Sequence, residues 1–118
     1  MTPEPVEIRY DRVTRVLAVT FDDGAVFALP AEYLRVESPS AEVQGHGPGQ
    51  KMIVSGRRKV GISAIEPVGQ YAVRLVFDDG HDSGIFSWEY LHEVGGDYDR
   101  RWAAYLRALD ERGLSRDA

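Results

Sequence analysis

The chain contains no cysteine, so disulfides, thiolate zinc sites and cysteine nucleophiles are excluded. Long apolar runs are also missing, and no segment approaches the roughly eighteen apolar residues that a membrane-spanning helix needs. The N-terminal segment is acidic and lacks the apolar stretch of a secretory signal peptide. The absence of cysteine also fits a reducing compartment. We therefore expect a cytoplasmic, soluble protein that has no membrane partner.

Basic side chains are outnumbered, with 14 lysines and arginines against 19 aspartates and glutamates and a net charge of -5. Such a surface repels the phosphate backbone of nucleic acids, so we expect no nucleic-acid partner. The length of 118 residues is typical of one domain. We expect a single domain over residues 1–118, with its core at about residues 6–112, that folds without disulfides or metals.

Signatures of catalysis and of metal binding are absent as well. The three histidines, His46, His81 and His92, show neither the H-E-x-x-H pattern nor i, i+4 spacing. No serine lies in a G-x-S-x-G elbow. The glycine-rich residues 45–49 lack the Gly-Lys-Ser/Thr ending of a P-loop, which leaves an anion nest of backbone amides as the alternative there. We expect a protein that is not an enzyme and has no metal and no cofactor.

The sequence does contain an internal repeat. Phe-Asp-Asp-Gly occurs at residues 21–24 and again at residues 77–80, and Glu-Tyr-Leu follows each copy, at residues 32–34 and 89–91. Asp-Gly is typical of type I′ hairpin turns, in which two consecutive residues have positive φ, so these aspartates favour a turn role over acid–base chemistry. The repeat predicts two similar units of a β-hairpin and a short helix, in an α+β fold with antiparallel sheets.

Alternation of apolar and polar residues predicts the strands and their buried faces. The first strand buries one face, made of Val6, Ile8 and Tyr10. A later strand buries Tyr71, Val73, Leu75 and Phe77. Further strands are expected over residues 16–21, 25–29, 60–68 and 81–86, with a candidate short strand at residues 52–54. Pro67 places the 60–68 strand at a sheet edge.

Three helices are expected. The first is a turn or two at residues 31–34, and the second covers residues 88–94, where Ser87 caps its start and Gly95-Gly96 ends it. The third begins near Asp97 or Asp99 and ends at Gly113, and the tail at residues 114–118 should fray. Its apolar stripe is expected to pack on the sheet, with docking of a partner as the alternative, and consists of Tyr98, Trp102, Tyr105, Leu106 and Leu109.

Three segments carry a distinctive combination of residues. They read Leu-Arg-Val-Glu-Ser-Pro-Ser-Ala-Glu-Val at residues 34–43, Ile-Glu-Pro-Val-Gly-Gln-Tyr-Ala-Val at residues 65–73, and Asp-Gly-His-Asp-Ser-Gly-Ile-Phe-Ser at residues 79–87, with Tyr-Leu at residues 90–91. Together they resemble the gamma-butyrobetaine hydroxylase-like N-terminal domain family, also called DUF971. The resemblance covers most of the chain, from about residue 6 to about residue 94.

The resemblance implies a zinc-binding module, because the eukaryotic dioxygenases with this domain carry three cysteines and a histidine there. The cysteine positions fall on Ser38, Ser40 and Val43 of this chain, and the histidine position falls on His81. Neutral hydroxyls and an apolar valine cannot replace thiolates around Zn²⁺. We therefore expect a zinc-free, bacterial-type member of the family in which His81 is the only retained position of the zinc site.

The resemblance also bears on activity. We expect no hydroxylation of gamma-butyrobetaine by this chain, because its 118 residues leave no room for the separate iron-binding barrel of the dioxygenases. Related domains occur fused to P-loop ATPases that handle iron–sulfur clusters, and this analogy points to a part in iron–sulfur or metal-protein assembly.

Two functions remain open. The first is a non-enzymatic interaction module that binds an unknown protein, with a homodimer through a sheet edge as a further possibility. The alternative is a metal- or ligand-binding accessory domain to a 2-oxoglutarate- and iron-dependent dioxygenase, which requires His46 and His81 to approach one another with a carboxylate. The expected binding surface comprises Arg35, Glu37, Ser38, Ser40, His46, His81, Asp82 and Trp88.

Overall fold

Two three-stranded antiparallel sheets form the framework of the protein. A computed structural model describes residues 2–45 and 51–117. The first sheet has the spatial order β1-β2-β3, with the strands β1 (Pro5–Asp11), β2 (Val16–Phe21) and β3 (Val26–Pro30). The second sheet has the order β4-β5-β6, with the strands β4 (Ile62–Val68), β5 (Ala72–Phe77) and β6 (Gly84–Ser87). The edge position predicted for Pro67 is confirmed, since β4 is an edge strand.

The described residues contain four helices, one more than the sequence predicts, and the predicted α+β class is confirmed. The helix α1 (Ala31–Val36) follows the first sheet, and α3 (Trp88–Gly96) follows the second. We call residues 5–36 the first half and residues 62–96 the second half. A single turn of helix, α2 (Ala41–Gln44), lies between the halves in sequence, and α4 (Tyr98–Glu111) follows the second half. With 14 residues α4 is the longest helix, and none of the helices in the described ranges has the length and apolar character for crossing a bilayer.

The two hairpins close in the same way. Each turn ends on a glycine with positive φ, 89° at Gly24 and 93° at Gly80. Among the described residues, Arg15 is the only non-glycine residue with positive φ, so Asp23 and Asp79 lie outside that region. The predicted type I′ turn, which needs two such residues, is therefore wrong. The geometry matches the three-residue hairpin loop, in which one left-handed residue follows a type I turn.

The halves also exchange equivalent hydrogen bonds. The repeat makes Tyr33 equivalent to Tyr90 and Glu37 equivalent to Val94. The Tyr33 hydroxyl donates to the Val94 carbonyl at 2.6 Å, and the Tyr90 hydroxyl donates to the Glu37 carbonyl at 2.5 Å. Burial raises the pKa of Tyr90 to about 12, so its hydroxyl remains a donor at neutral pH. The helices α1 and α3 thus each donate a tyrosine hydroxyl to a carbonyl near the C-terminal end of the other. The two hydrogen bonds are equivalent in the repeat.

A second reciprocal pair joins each helix to the turn of the opposite half. Arg35 of α1 donates from Nε to Asp79 Oδ2 at 2.8 Å, and the equivalent His92 of α3 places Nε2 2.8 Å from Asp23 Oδ2.

The shared interior is one hydrophobic core built from both sheets and from the helices α1 and α3. Its fully buried large side chains include Leu17, Val19, Phe21, Leu29, Tyr33, Leu34, Leu75, Phe77, Phe86 and Leu91.

Some strand predictions were wrong at the ends of elements. A β-bulge between Pro5 and Glu7 turns Val6 outward, where it is 67% exposed. Tyr71 precedes β5 and is 71% exposed, although the alternation placed it on the buried face. The strand expected from residue 81 begins at Gly84, and residues 52–54, which the structure describes, form no strand.

The helix α3 continues through the two glycines that were expected to end it. It runs to Gly96, and the cap at Ser87 is confirmed by the 3.0 Å bond from the Tyr90 N–H to Ser87 Oγ. Gly95 is needed inside the helix because a Cβ there would lie 2.5 Å from the Phe27 ring. The glycine therefore serves close packing of α3 on β3.

The C-terminal helix packs on α1, and the prediction that its stripe packs on the sheet holds only in part. Tyr98 and Trp102 contact the core cluster that the sheets and helices share. Tyr105 and Leu109 form a small buried cluster with Val36 of α1. Tyr98 makes an edge contact with Tyr33, with the ring centroids 4.7 Å apart, while Leu106 is 40% exposed. Asp97 stands at the N-cap position without a side-chain capping bond, because its carboxylate pairs with two arginines of α4.

Residues 114–117 of the tail are held in place, contrary to the expectation that they fray, and residue 118 lies outside the described residues. Gly113 has φ of 65° and ends α4 as predicted. Beyond it, the Gly56 N–H donates to the Ser115 carbonyl at 2.8 Å and the Arg58 N–H donates to the Arg116 carbonyl at 3.0 Å. These backbone bonds join residues 115 and 116 to the segment that precedes β4.

We expect the Tyr90→Phe variant to lose about 1–2 kcal/mol of unfolding free energy, because the buried Glu37 carbonyl loses its donor. Tyr33→Phe should cost a similar amount through the Val94 carbonyl. Tyr71→Phe, which removes an exposed hydroxyl, serves as the control and should change stability by less than about 0.5 kcal/mol. Urea unfolding monitored by circular dichroism measures all three, and equal stability of the Tyr90→Phe and Tyr71→Phe variants would contradict the exchange.

Candidate functional site

The segment after α1 carries polar side chains into the interior. Ser38 is fully buried and Ser40 is 7% exposed. Ser40 caps α2, since its Oγ accepts from the Glu42 N–H at 3.2 Å. The Ser40 hydroxyl also lies 2.7 Å from Ser83 Oγ, just before β6. The loop is thereby attached to the second half.

Ser38, His81 and Glu42 form a hydrogen-bonded chain. Ser38 Oγ lies 2.9 Å from His81 Nε2, and His81 Nδ1 lies 3.2 Å from Glu42 Oε2. A carboxylate cannot donate, so we assign the imidazole proton to Nδ1, which leaves Nε2 to accept from the Ser38 hydroxyl. Ser38 Oγ in turn accepts from the Ser40 N–H at 3.3 Å. The order serine, histidine, carboxylate is that of a hydrolase triad.

Access to this cluster is closed. The His81 side chain is 1% exposed and Ser38 is fully buried. A Cβ added at Gly84 would lie 2.6 Å from Ser38 Oγ, so not even a methyl group fits beside the hydroxyl. A nucleophilic serine must reach a substrate carbonyl at about 3 Å. The closed environment therefore indicates a structural role for the cluster. We call Ser38, His81 and Glu42 the clasp.

Burial, with a smaller effect of the Arg35 charge, favours the neutral form of the His81 imidazole. Burial lowers the pKa of His81, and the nearby Arg35 guanidinium lowers it further, against the opposing effect of Glu42. Burial pushes the pKa of Asp79 up, but the His81 N–H and the guanidinium groups of Arg35 and Arg57 outweigh it, so the net pKa of Asp79 is lowered. Asp79 remains a carboxylate at neutral pH and anchors two arginines.

The two arginines at Asp79 differ in the hydrogen bonds that their guanidinium groups make. Arg35 Nε donates to Asp79 Oδ2 at 2.8 Å, whereas its buried Nη1 has no hydrogen-bond partner among the described residues. Arg57 Nε also lies 2.8 Å from Asp79 Oδ2, but its N–H does not point along a hydrogen bond. Both contacts are thus charge pairings to a turn aspartate.

Glu37 is buried and paired with two cations. Its carboxylate lies 2.9 Å from Arg101 Nη1 and 2.5 Å from Lys51 Nζ, and its carbonyl accepts from Tyr90. Arg101 belongs to α4, so Glu37 links α4 to the end of α1. These contacts assign Glu37 a structural role, because they join the end of α1 to α3 through Tyr90 and to α4 through Arg101.

The remaining predicted site residues lie apart. Asp82 is exposed, and its carbonyl accepts from Arg74 Nη1 at 3.5 Å. Trp88 starts α3, seven residues after His81, and its Nε1 donates to the Gln70 carbonyl at 2.8 Å. The prediction for His46 lies outside the described residues. The structure therefore brings Ser38, Ser40 and His81 together and places Trp88 elsewhere.

The clasp does not fit a zinc ion. His81 Nε2 is bonded to Ser38 Oγ, and Val43 is buried with no donor atom. Within residues 2–45 and 51–117, no group of three or more histidine, aspartate or glutamate side chains could hold a metal ion. The metal-dependent alternative thus has no donor set in this part of the chain.

A separate open cleft lies between the two halves. Its volume is about 500 Å³, within the usual range for ligand sites, and we call it the inter-half cleft. The residues that line it are Thr2, Glu4, Asp22, Tyr71, Ser87, Trp88 and Glu89. The Trp88 N–H donates to the Tyr71 carbonyl at 2.8 Å, and the Asp22 N–H donates to the Glu4 carbonyl at 2.8 Å. Backbone bonds therefore fix both walls.

Sequence reasoning included Trp88 but missed the rest of this cleft. Asp22 comes from the first half and Glu4 from the segment just before it, whereas Tyr71 and Glu89 come from the second half. Their proximity depends on how the halves pack, which no local pattern encodes. The alternation placed Tyr71 on a buried face, so nothing in the sequence signalled that its ring lines a cleft.

We expect wild-type stability to fall as the pH drops below about 6.5, because the unfolded state binds a proton that buried His81 resists. The sign follows from the lowered folded pKa: between that value and about 6.5 the unfolded chain carries more protons, so stability rises with pH. The slope is at most about 1.4 kcal/mol per pH unit. Urea unfolding at pH 7.5, 6.5, 5.5 and 5.0 measures it.

The His81→Gln variant should show a flatter profile over this range, because it lacks the buried imidazole. His92→Gln is the control for losing a histidine, and it should keep the wild-type loss of stability because His81 is still present. Parallel profiles for wild type and His81→Gln would contradict the neutral, buried assignment.

Comparisons with known proteins identify related structures. A protein solved by NMR in solution superimposes with a TM-score of 0.86 and 45% identity, covering 99% of this chain and 92% of that chain. A second NMR structure gives a TM-score of 0.84 and 45% identity, over 98% of this chain and 86% of that one. A search of curated proteins finds no match.

A third related structure carries the family name. The crystal structure of a DUF971 protein of unknown function from Acidithiobacillus ferrooxidans matches with a TM-score of 0.65 and 43% identity, over 77% of this chain and 91% of that chain. The family profile described as gamma-butyrobetaine hydroxylase-like, N-terminal, matches residues 8–92. The chain belongs to the gamma-butyrobetaine hydroxylase-like N-terminal family, also known as DUF971, as its sequence segments indicated.

Proposed function

We propose that this protein is a non-enzymatic binding module that recognises its partner at the inter-half cleft. The observation that carries the proposal is the cleft itself: an open space of about 500 Å³ lined by two aromatic rings and three carboxylates. Binding sites combine apolar walls with a few polar groups that orient the ligand. The cleft has both, on backbone that two sheets hold in place.

The exposure and the fixed orientation of the aromatic side chains that line the cleft support its role in binding a partner. Tyr71 is 71% exposed, which leaves most of its ring available for contact. Trp88 is half-buried against the core and anchored by its bond to Gln70, so its ring is held in one orientation. Rigid aromatic side chains lose little conformational entropy on binding, and they dominate contacts at protein interfaces.

The polar clasp supports the non-enzymatic part of the proposal. Its triad-like order of Ser38, His81 and Glu42 is the arrangement in the described residues that most resembles a catalytic centre. The hydroxyl, however, is sealed and also accepts from a backbone N–H, so it holds a loop in place. An enzyme at this position would need an opening that exposes Ser38.

The proposal moves the partner surface away from most residues that the sequence suggested. Of those eight, Trp88 lines the cleft, while Arg35, Glu37, Ser38, Ser40 and His81 make internal contacts. A cytoplasmic location, an unknown protein partner and a homodimer through a sheet edge stay predictions. No contact in the described residues favours a part in metal-protein assembly.

We expect some members of a mixed set of small compounds, comprising cations, anions and neutral aromatics, to bind at the cleft. Two-dimensional ¹⁵N NMR should show saturable shifts for the amides of residues 2, 4, 22, 71 and 87–89. The Tyr71→Ala variant should weaken binding about fivefold, because an exposed aromatic contact is worth roughly 1 kcal/mol.

The control variant is Ile85→Ala, which removes a half-exposed apolar side chain outside the cleft and should bind like wild type. If no compound of any class shifts the cleft amides, the proposal fails. It also fails if Tyr71→Ala and Ile85→Ala weaken binding equally.

A further inference from the structure

The first half contains an occupied counterpart of a carboxylate in the cleft. The repeat makes Glu32, the second residue of α1, equivalent to Glu89, the second residue of α3. Both α1 and α3 start after a β-hairpin, and the first N–H of each donates backward to an equivalent carbonyl: Ala31 to Arg15 and Trp88 to Tyr71, both at 2.8 Å. The two glutamates therefore occupy the same place in the two halves.

Glu32 holds a guanidinium group from the tail of the same chain. Arg116 Nε lies 2.8 Å from Glu32 Oε2, and Arg116 Nη2 lies 2.7 Å from Glu32 Oε1, a two-pronged pairing. The Arg116 guanidinium carbon also lies over the Trp102 ring, 5.1 Å from its centroid. The site around Glu32 thus combines a carboxylate with an aromatic face, both engaged by one arginine.

The cleft presents the same two groups without the arginine. Glu89 is exposed, and it makes no ion pair within the described ranges. The aromatic face is built in, because Trp88 stands where the first half has Ala31 and Tyr71 stands where it has Arg15. The second half therefore supplies its own rings beside Glu89.

The charge around the cleft favours a cation. Glu4, Asp22 and Glu89 line it, and no lysine or arginine is among its lining residues. Asp22 accepts from the Glu4 N–H at 3.2 Å, which uses one of its four lone-pair sites and leaves the carboxylate able to accept more. An anionic ligand would meet three like charges in a partly enclosed space.

We infer that the inter-half cleft binds the guanidinium group of an arginine side chain presented by a partner protein. The inference rests on the proposed function, since it names the ligand of that same cleft. Glu89 accepts the two-pronged pairing that Glu32 accepts from Arg116, and the guanidinium plane lies against Trp88 or Tyr71.

Arginine fits this site better than the other cationic side chain. A guanidinium group is planar, donates two parallel N–H bonds to one carboxylate and stacks on aromatic faces. The ammonium group of lysine is a strongly hydrated point charge that cannot do both at once. The chain itself uses arginine where the equivalent carboxylate is filled.

The test is an NMR titration of the full-length ¹⁵N-labelled protein with three capped residues. Nα-acetyl-arginine amide should shift the amides of residues 71 and 87–89, with a dissociation constant on the order of tens of millimolar, as one exposed ion pair and one cation–π contact allow. Nα-acetyl-citrulline amide, the neutral isostere, should not bind. Nα-acetyl-lysine amide should bind at least about threefold more weakly.

A matched pair of variants locates the contact. Glu89→Gln keeps the shape of the side chain and should weaken binding of the arginine compound about fivefold. Glu66→Gln removes one exposed carboxylate outside the cleft and should leave binding unchanged. Free arginine adds an α-ammonium and an α-carboxylate whose charges cancel, so it should bind no more tightly than the capped form. Tighter binding of free arginine would overturn the assignment to a protein-borne side chain.

The failures of the two proposals can be told apart. If neutral or anionic compounds shift the cleft amides but the arginine compound does not, the arginine assignment is wrong and the binding module stands. Equal binding of the citrulline or lysine compound, or equal affinity of the Glu89→Gln and Glu66→Gln variants, overturns the arginine assignment in the same way. If nothing shifts these amides, the proposed function itself fails.

Discussion

The exchange of tyrosine hydroxyls between the two halves is the constraint on which the rest of the structure depends. A three-stranded sheet with one short helix cannot cover its own apolar face, so each half needs the other. The last carbonyls of a helix lack partners within the helix and must find donors elsewhere. Tyr33 and Tyr90 supply those donors across the interface, to Val94 and Glu37. One residue type at one repeated position thus serves both packing and hydrogen bonding.

The repeat is not symmetric at its turns, and the difference explains the clasp. Ala25 follows the first turn, whereas His81 follows the second and reaches Ser38 of the long loop. The turn aspartates differ in the same way. Asp23 pairs with half-buried His92, while Asp79 holds Arg35 and Arg57 in a less exposed site. The second turn has therefore acquired the polar groups that fix the segment after α1, and a buried polar network of this kind favours one conformation of that loop.

The sequence predicted the fold well because the features that determine it are local. The repeated Phe-Asp-Asp-Gly and Glu-Tyr-Leu segments specify the hairpins and the starts of two helices, and Gly113 specifies the end of α4. Predictions failed where a distant contact decides. Gly95 remains helical because Phe27 packs against it, and the tail is ordered because Arg116 meets Glu32. Neither contact can be predicted from the residues around Gly95 or around Arg116, because the partner lies far away in the sequence.

The candidate site was predictable only in part for the same reason. The resemblance mapped Ser38, Ser40 and His81 onto positions of the family zinc site, and in the structure Ser38 Oγ lies within hydrogen-bond distance of His81 Nε2 and of the Ser40 N–H. Glu42 was missed, since its contact with His81 spans 39 residues and depends on the helical turn at Ala41–Gln44. The inter-half cleft needed both halves in place, so Trp88 alone could be named from sequence.

The open cleft follows from adding one helix to a doubled unit. Two equivalent positions exist beside α1 and α3, but the chain has a single C-terminal helix and a single tail to cover them. That helix packs on α1 through Val36, and the tail brings Arg116 to Glu32. The position at Glu89 is left uncovered by the same geometry, and its rings at Tyr71 and Trp88 are ones that the first half lacks. The first half has Ala31 and Arg15 at these positions and takes its aromatic face from Trp102, so the second half carries rings of its own beside the uncovered carboxylate.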